Sequence, residues 1–537
     1  MAKVAKKTTT KRAKRNSNSS EATAFGLPLK TWVGSIRKLR GGEERGGRRG
    51  YIFAFSGAGE KELRKAVASH LRKWQLDDCL KSKAESQFFH GTNGPIWVLR
   101  VPEAKKNSHS APDSSLEKMN FARFRDLAGA IVPQLAPLRL DKLILDCHGL
   151  THEEEEAILV GMEMASYSYQ ENRPHEPKAR KKLPPLLFKQ FSLSSEEIKR
   201  AAELALAVNV ARHYTNIPGG ELNPRTYAES VRALFAKSST VSVDIWEGER
   251  LVKERMNLLL AVGSGAAEGP RLVHLRYRPE DRSTSKPVAI VGKGITFDSG
   301  GLDIKPSSAM RWMKKDMGGS AAALAIAVWA ERTGFTLPLD IYLSLAENAV
   351  SNKSFRPGDV LVARSGATVE IGNTDAEGRL ALADALDVAV SQNGANEPQA
   401  VIDISTLTGA IKVGLGAEIA GLFSNSDHLA RLLGEAGHAR GDLMWRMPLY
   451  QVYRSQLRST FADMSNCSDS GFGGAITAAL FLESFVRNRP WAHLDIYAWR
   501  DSAGGAWSES GGSGQAVLAV IEALRKLNEE AFGIELA

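Results

Sequence analysis

Cysteine is scarce in this chain of 537 residues: Cys79, Cys147 and Cys467 stand far apart, with no CxxC pair and an odd total. That rules against a disulfide framework and fits a reducing compartment, so a cytoplasmic location is expected. Long apolar runs are missing too. None approaches the ~18 residues of a membrane span, and the amino terminus lacks the apolar core of a secretory signal. Membrane association is therefore not expected. No internal repeat is visible. What remains is an ordinary globular composition, 43% hydrophobic, in a chain long enough for two domains.

The formal net charge of +9 is unevenly spread. Residues 1–50 hold 14 Lys+Arg against 3 Asp+Glu, a net of +11, which leaves −2 for the other 487. The opening "MAKVAKKTTTKRAKRNSNSS" is basic, low in complexity and nearly free of apolar residues, so residues 1–24 read as a disordered tail. Such a tail is either a solubilising arm or a contact for nucleic acid or another polyanion. As a mitochondrial presequence it fits less well, because lysine outnumbers arginine and no apolar helix face develops.

Two α/β units are predicted. In the first, residues 25–165, "GYIFAFSG", "PIWVLRV" and "KLILDCHG" read as strands, with helical stretches at 61–74 and 121–135. A polar, proline-bearing segment makes residues 166–190 the linker. Beyond it, 191–537 shows strand–helix alternation, a larger α/β domain with a central mixed sheet flanked by helices. Its strands are "LVHLRYR", "PVAIVG", "LDIYLSLAE" and "AVIDIST". Its helices include "EEIKRAAELALAVNVARHYTN", "SAAALAIAVWAERTG" and "GRLALADALDVAVSQ".

Two motifs mislead. "HGLTHEEEE" (148–156) offers histidines four apart beside acids, but in HExxH the glutamate directly follows the first histidine. It reads instead as a loop entering a helix amino terminus, where acids suit the dipole. "GSGAAEG" (263–269) lacks both the Walker lysine and the GxGxxG spacing, and reads as a loop.

The informative stretches are "VGKGITFDSGGLDIKPSSAMRWMKKDMGGSAAALA" (291–325) and "NTDAEGRLAL" (373–382). Lys293 and Asp298 appear where a buried strand runs out into glycines. Lys305 follows, and Asp316, Asp375 and Glu377 each precede a helix. Singly, a lysine after a strand is solvated and an aspartate before a helix is an N-cap. The set is different, because acids recur at strand–helix junctions, where open α/β sheets gather ligands. Buried carboxylates need counter-charge. Asp298, Asp316, Asp375 and Glu377 total −4, which two divalent cations would neutralise.

These stretches, with "HYTNIPGGELNP", "AENAVSNKSFRPGD", "STLTGA", "FADMSN", "GGAITAALFLESF" and "HLDI", resemble the leucyl (cytosol) aminopeptidase family over residues 200–500. The resemblance implies an aminopeptidase that releases the first residue of short peptides with a free amino terminus, through a two-metal-activated water. One metal would take Lys293, Asp298, Asp316 and Glu377. The other would take Asp298, Asp375 (side chain and main-chain carbonyl) and Glu377. Nitrogen and oxygen donors without thiolate suit Zn²⁺ or Mn²⁺, and also Co²⁺. Lys305 would stabilise the oxyanion, and Arg379 would hold a bicarbonate acting as general base. The resemblance also implies a homohexamer.

For the first side chain it implies a pocket of Met313, Thr406, Gly409 and Tyr497. The family usually continues "HLDI" with Ala-Gly, whereas this chain has Tyr497. A narrower or more polar pocket, with less preference for leucine, is therefore expected, unless the loop shifts and the ring packs elsewhere. Two competing readings are a nucleic-acid-binding protein using residues 1–24 on an aminopeptidase scaffold, and a metal-bound structural subunit. The second would not need Lys305 or Arg379.

Overall fold

A computed structural model describes residues 24–40, 43, 46–57, 60–101, 119–169, 183–280 and 286–531. The expected tail, residues 1–24, lies outside these except for Ala24, and so does most of the expected linker. Among the described residues no helix is long and apolar enough to cross a membrane.

The first sheet has six strands, β1 (Arg37–Lys38), β2 (Arg49–Ser56), β3 (Ser86–Gly91), β4 (Gly94–Val101), β5 (Lys142–His148) and β6 (Leu186–Gln190), in the order β1-β6-β5-β2-β4-β3. All neighbours are parallel except β3 with β4. Alternation sorts its side chains. Tyr51, Phe53, Phe55, Ile96, Val98 and Ile144 face one core, and Ile52, Ala54, Trp97, Leu99, Leu143 and Leu145 the other.

Three expectations need correction. Residues 186–190, assigned to the linker, form β6 between β5 and β1. The apolar Leu186, Leu187 and Phe188 find strand partners there despite the prolines just before them. The helical stretch at 61–74 is two helices, Glu60–Val67 and Lys73–Lys81, because the chain turns at 68–72 to bury His70 and Leu71. The stretch at 121–135 likewise divides into Asn120–Gly129 and Val132–Leu138. The loop at 148–156 does enter a helix, His152–Ser166. Thr151 caps it, its hydroxyl accepting from Glu154 N at 3.2 Å while Glu154 Oε2 accepts from Thr151 N at 2.9 Å.

The second sheet has eight strands: β7 (Val241–Glu247), β8 (Arg271–Tyr277), β9 (Val288–Asp298), β10 (Leu339–Asn348), β13 (Ala400–Ser405), β14 (Ala420–Ser424), β15 (Met444–Arg446) and β17 (Trp491–Asp495). Between them in sequence lie β11 (Val360–Val362), β12 (Thr368–Glu370) and β16 (Met464–Ser465), which form a small separate sheet, and β18 (Trp499–Arg500) pairs with β19 (Gly511–Gly512). The eight-stranded order is β15-β14-β17-β13-β9-β10-β8-β7. Its centre, β17-β13-β9-β10, is parallel, and antiparallel strands flank it on both sides. The sheet is mixed and covered on both faces, hence its near-continuous apolar strands.

One core runs through both units. The helices His152–Ser166, Ser195–Asn216 and Gly318–Thr333 join residues of the first sheet to Val288, Ile290 and Ile402 of the second. On the far face Ala289, Val291 and Val401 pack with the helices Glu377–Val390 and Gly474–Glu483. The Gly318–Thr333 helix lies unusually close to the sheet. A Cβ on Gly319 would stand 1.9 Å from Ile404 O.

Glu163 is buried in the shared core, where it accepts from Trp32 N at 2.7 Å and Val33 N at 2.8 Å. Burial pushes its carboxyl up to about 7, against those hydrogen bonds. A raised carboxyl favours the folded state below the unfolded value, and that stabilisation is lost as pH rises through the folded one. Stability should therefore fall by up to about 3 kcal/mol between roughly pH 4.5 and 7. Glu163→Gln should remove that slope. Denaturant titrations of both proteins at pH 5 and pH 8 check it, and parallel pH dependences would contradict it.

Candidate metal and catalytic centre

The four parallel strands all deliver residues to one place at their carboxyl ends. β9 contributes Lys293 and Asp298, β10 ends at Asn348, β13 runs into Thr406, and β17 ends at Asp495 just before Tyr497. Asp316 follows a single helical turn, Met313–Lys315, and Glu377 opens the Glu377–Val390 helix. Residues as far apart in sequence as Lys293 and Asp495 thus share one site.

Lys293 Nζ lies 2.8 Å from Asp316 Oδ2 and 3.1 Å from Glu377 Oε1, and donates to Thr406 O at 2.9 Å. Lys305 Nζ lies 2.8 Å from Asp298 Oδ2 and 2.5 Å from Asp375 Oδ1. Asp298, Asp375 and Glu377 each offer an oxygen to a common point, all within 4.8 Å of one another. Lys293, Asp298, Asp316 and Glu377 are buried, whereas Asp375 and Lys305 are half-buried. Glu377 Oε2 is buried without a hydrogen-bond partner among the described residues.

The electrostatics show a deficit of positive charge. Burial raises the carboxyls of Asp316, Asp375 and Glu377, and the Asp298 carboxylate adds to it. Burial alone would lower the two lysines, but the acids around them more than reverse this, and both stand above the ordinary lysine value. Acids and bases hold protons more tightly together because four carboxylates face two ammonium groups.

Residues not singled out from the sequence hold these acids in place. Asn348 Nδ2 donates to Asp298 Oδ1 at 2.9 Å and to Thr374 O at 3.0 Å, and Gly300 N donates to the same Asp298 oxygen at 2.9 Å. Asp303 Oδ2 accepts from Thr374 N at 2.7 Å, which ties the two acid-bearing loops together. Asn466 Oδ1 accepts from Gly372 N at 2.8 Å, and Asn466 O accepts from Arg379 Nη1 at 2.7 Å. Asp495 Oδ2 accepts from Thr408 Oγ1 at 2.6 Å and secures the loop after β13. Asn348, Asn466 and Asp495 sit in the quoted motifs, so their presence was visible; their partners were not.

Arg379 is buried, its Nε has no hydrogen-bond partner among the described residues, and burial lowers its pKa. Thr406 Oγ1 donates to Asp316 Oδ1 at 2.7 Å. Met313 is half-buried in the turn before Asp316, and Gly409 is exposed at the start of the Gly409–Leu415 helix. Tyr497 is half-buried, with Lys412 Nζ 3.8 Å and Lys315 Nζ 4.3 Å from its ring centroid. The buried Lys315 ammonium is pushed down to about 8, chiefly by burial, which the adjacent Asp316 carboxylate only partly offsets and to which Lys293, Lys412 and Lys305 add. Ala498, where the family usually has glycine, takes a left-handed φ of 59°.

Comparison with known proteins settles the class. The profile of the cytosol aminopeptidase family, catalytic domain, matches residues 209–521. A probable cytosol aminopeptidase of Leifsonia xyli is 38% identical over 456 residues, covering 82% of this chain and 89% of its own. Among solved structures, the bottromycin maturation enzyme BotP in complex with Mn is 32% identical with a TM-score of 0.77, covering 90% of this chain and all of its own. Cytosol aminopeptidase from Coxiella burnetii is 30% identical with a TM-score of 0.74, covering 91% and 98%. The fold and site define a metalloexopeptidase of the leucyl aminopeptidase type, a hydrolase acting at peptide amino termini. The chain belongs to the cytosol aminopeptidase family.

Gly378 shows how tightly the centre is built. A Cβ there would stand 2.3 Å from Lys293 Cε and 2.5 Å from its Nζ. Gly378→Ala should push the amine out of place and lower kcat/KM by about 100-fold, the scale of a ~1 Å misplacement. Circular dichroism should still show a folded protein. Near wild-type turnover would mean that the Lys293 position is not critical.

Proposed function

We propose that Lys293, Asp298, Asp316, Asp375 and Glu377 hold two divalent cations, Zn²⁺ or Mn²⁺ with Co²⁺ as a third candidate, and that the enzyme uses them to release the first residue of short peptides. The carrying observation is the largely buried cluster of Asp298, Asp375 and Glu377, joined to Asp316 through Lys293, short of positive charge and with one oxygen of Glu377 unpartnered among the described residues. The donors are hard oxygens with one amine, and Cys467, the nearest thiol by sequence, belongs to no such cluster among the described residues. The residues therefore fit the group.

Bound divalent cations would supply a Lewis acid for the scissile carbonyl and a water made nucleophilic near neutral pH. The chain supplies the rest. Lys305 stays protonated beside Asp298 and Asp375, a preorganised cation for the developing oxyanion. Lys293 has to give up its proton before its nitrogen can act as a donor. Arg379, buried with Nε unengaged, is the residue to hold a bicarbonate, which there would act as general base. A cytoplasmic homohexamer accompanies this reading. Val413, Phe461 and Phe472 are 90%, 77% and 86% exposed, apolar surface suited to burial between copies.

Two measurements test the centre. Chelation should abolish peptidase activity, and Mn²⁺, Zn²⁺ or Co²⁺ should restore it; full activity in rigorously demetallated protein would exclude the proposal. Loading should also release protons, because the metal-free site holds them tightly, so calorimetric binding enthalpies should vary with the buffer's ionisation enthalpy.

Variants separate the roles. Lys305→Ala should bind metal yet lose about 10²–10³-fold in kcat, as removal of one oxyanion donor does. Asp375→Ala should instead bind less metal. Wild-type turnover in Lys305→Ala would remove its electrophilic role.

A further inference from the structure

The residues around Tyr497 have a charge that the reaction does not use. Lys412 lies on the Gly409–Leu415 helix and Lys315 in the turn just before Asp316. Both ammonium nitrogens stand over the Tyr497 ring, at 3.8 Å and 4.3 Å from its centroid, so they lie within about 8 Å of each other. Among the described residues neither makes an ion pair or a side-chain hydrogen bond. Lys315 is nevertheless only 5% exposed.

The nearby acid is already engaged. Asp316, the carboxylate that acts on Lys315, is paired with Lys293 and accepts from Thr406 Oγ1. The neighbouring Lys314 differs from Lys315, since its Nζ donates to Asn216 O at 2.8 Å. Two like charges held together in a partly buried wall, with no ion pair of their own and with Asp316, already paired with Lys293, as the carboxylate acting on Lys315, disfavour the folded state. Contact with one aromatic ring offsets only part of that.

The position of this wall relates it to the catalytic centre. Ile496 N donates to Ser405 O at 2.8 Å, so Tyr497 leaves the sheet beside Thr406, whose carbonyl accepts from Lys293. Tyr497 N donates to Gln515 Oε1 at 2.9 Å, which anchors the backbone under the ring. Lys412 and Tyr497 are half-buried, and Gly409 and Ala410, at the start of the helix that carries Lys412, are exposed.

We propose that Lys315, Lys412 and Tyr497 form a carboxylate-binding subsite that selects peptides whose first residue is aspartate or glutamate. The substrate carboxylate completes the charge balance that the two lysines lack, and the tyrosine holds the ammonium groups apart. An acidic side chain thereby gains a direct contact with the accessible Lys412 ammonium and the favourable field of the buried Lys315, neither of which leucine can use. The inference rests on the catalytic centre proposed above.

The test compares kcat/KM for glutamyl and glutaminyl anilides, which differ in charge at nearly equal shape, with leucyl anilide as reference. Leucyl-glycine and its amide form a further pair, which separates a side-chain carboxylate from the terminal carboxylate of a dipeptide. Wild type should prefer glutamyl over glutaminyl by about tenfold or more, and added salt should shrink the preference. Lys412→Met, at a half-exposed position that tolerates change, should bring the ratio close to one, and Lys412→Glu should invert it. Lys315→Met should reduce it as well.

A wild-type ratio of one or less, or a ratio unmoved by both lysine variants, would overturn the subsite. A preference for leucyl-glycine over its amide, without a glutamyl preference, would assign the lysines to the peptide's terminus and equally overturn it. Turnover of leucyl anilide in either case would leave the catalytic centre standing, whereas no turnover of any substrate would remove both.

Discussion

Four carboxylates share a largely buried space with two ammonium groups, and the surrounding chain has to hold that unbalanced charge together. Left to themselves the acids would repel one another or draw in water. They are kept apart and aimed by neutral donors: the Asn348 amide and Gly300 N on Asp298, and the Thr406 hydroxyl on Asp316. The lysines supply what local cation they can. Because Lys293 and Lys305 each lie between two acids, the charge is shared across the cluster instead of residing on one pair.

The sheet makes the arrangement affordable. Parallel central strands end together, so residues in or just after β9, β10, β13 and β17 place side chains within reach of one another. Helices then bring Asp316 and Glu377 from the two opposite faces. Their approach depends on missing side chains. Gly319 lies against the β13 backbone and Gly378 beneath the Lys293 amine. The first α/β unit takes no part in the cluster, but its helix His152–Ser166 shares the core that fixes the Gly318–Thr333 helix.

Around this shared centre the chain carries its own features. The segment after β17 is a tyrosine followed by Ala498 in a left-handed conformation, then the short pair β18 and β19. Trp499 packs in a tilted arrangement 5.6 Å from Trp312, and Arg500 lies over Trp507. The segment after β17 is therefore aromatic and cationic, unlike the small residues that the motif leads one to expect.

Much was legible beforehand because it is local. Alternating and continuous apolar runs marked β2, β4, β5, β9, β10 and β13, and acids at strand–helix junctions marked Asp298, Asp316, Asp375 and Glu377. Strands too short for a periodic signal, such as β1, β16 and β18, were not visible. β6 was hidden by the prolines before it, and the helices at 60–81 ran together because their break contains no proline or glycine, whereas Gly129 and Pro133 do mark the break within 120–138, which the single-helix reading overlooks. The chain by itself determined which residue types sit at which junctions, since a strand's exit and a helix's start are properties of a few neighbouring residues. Only the tertiary structure decided that Asn348 holds Asp298, that Asn466 holds Arg379, and that Lys315 meets Lys412 over Tyr497. Those partners are 50 to 182 positions apart along the chain in the widest cases, and sheet order, not sequence, brings them within hydrogen-bonding or ring-contact distance.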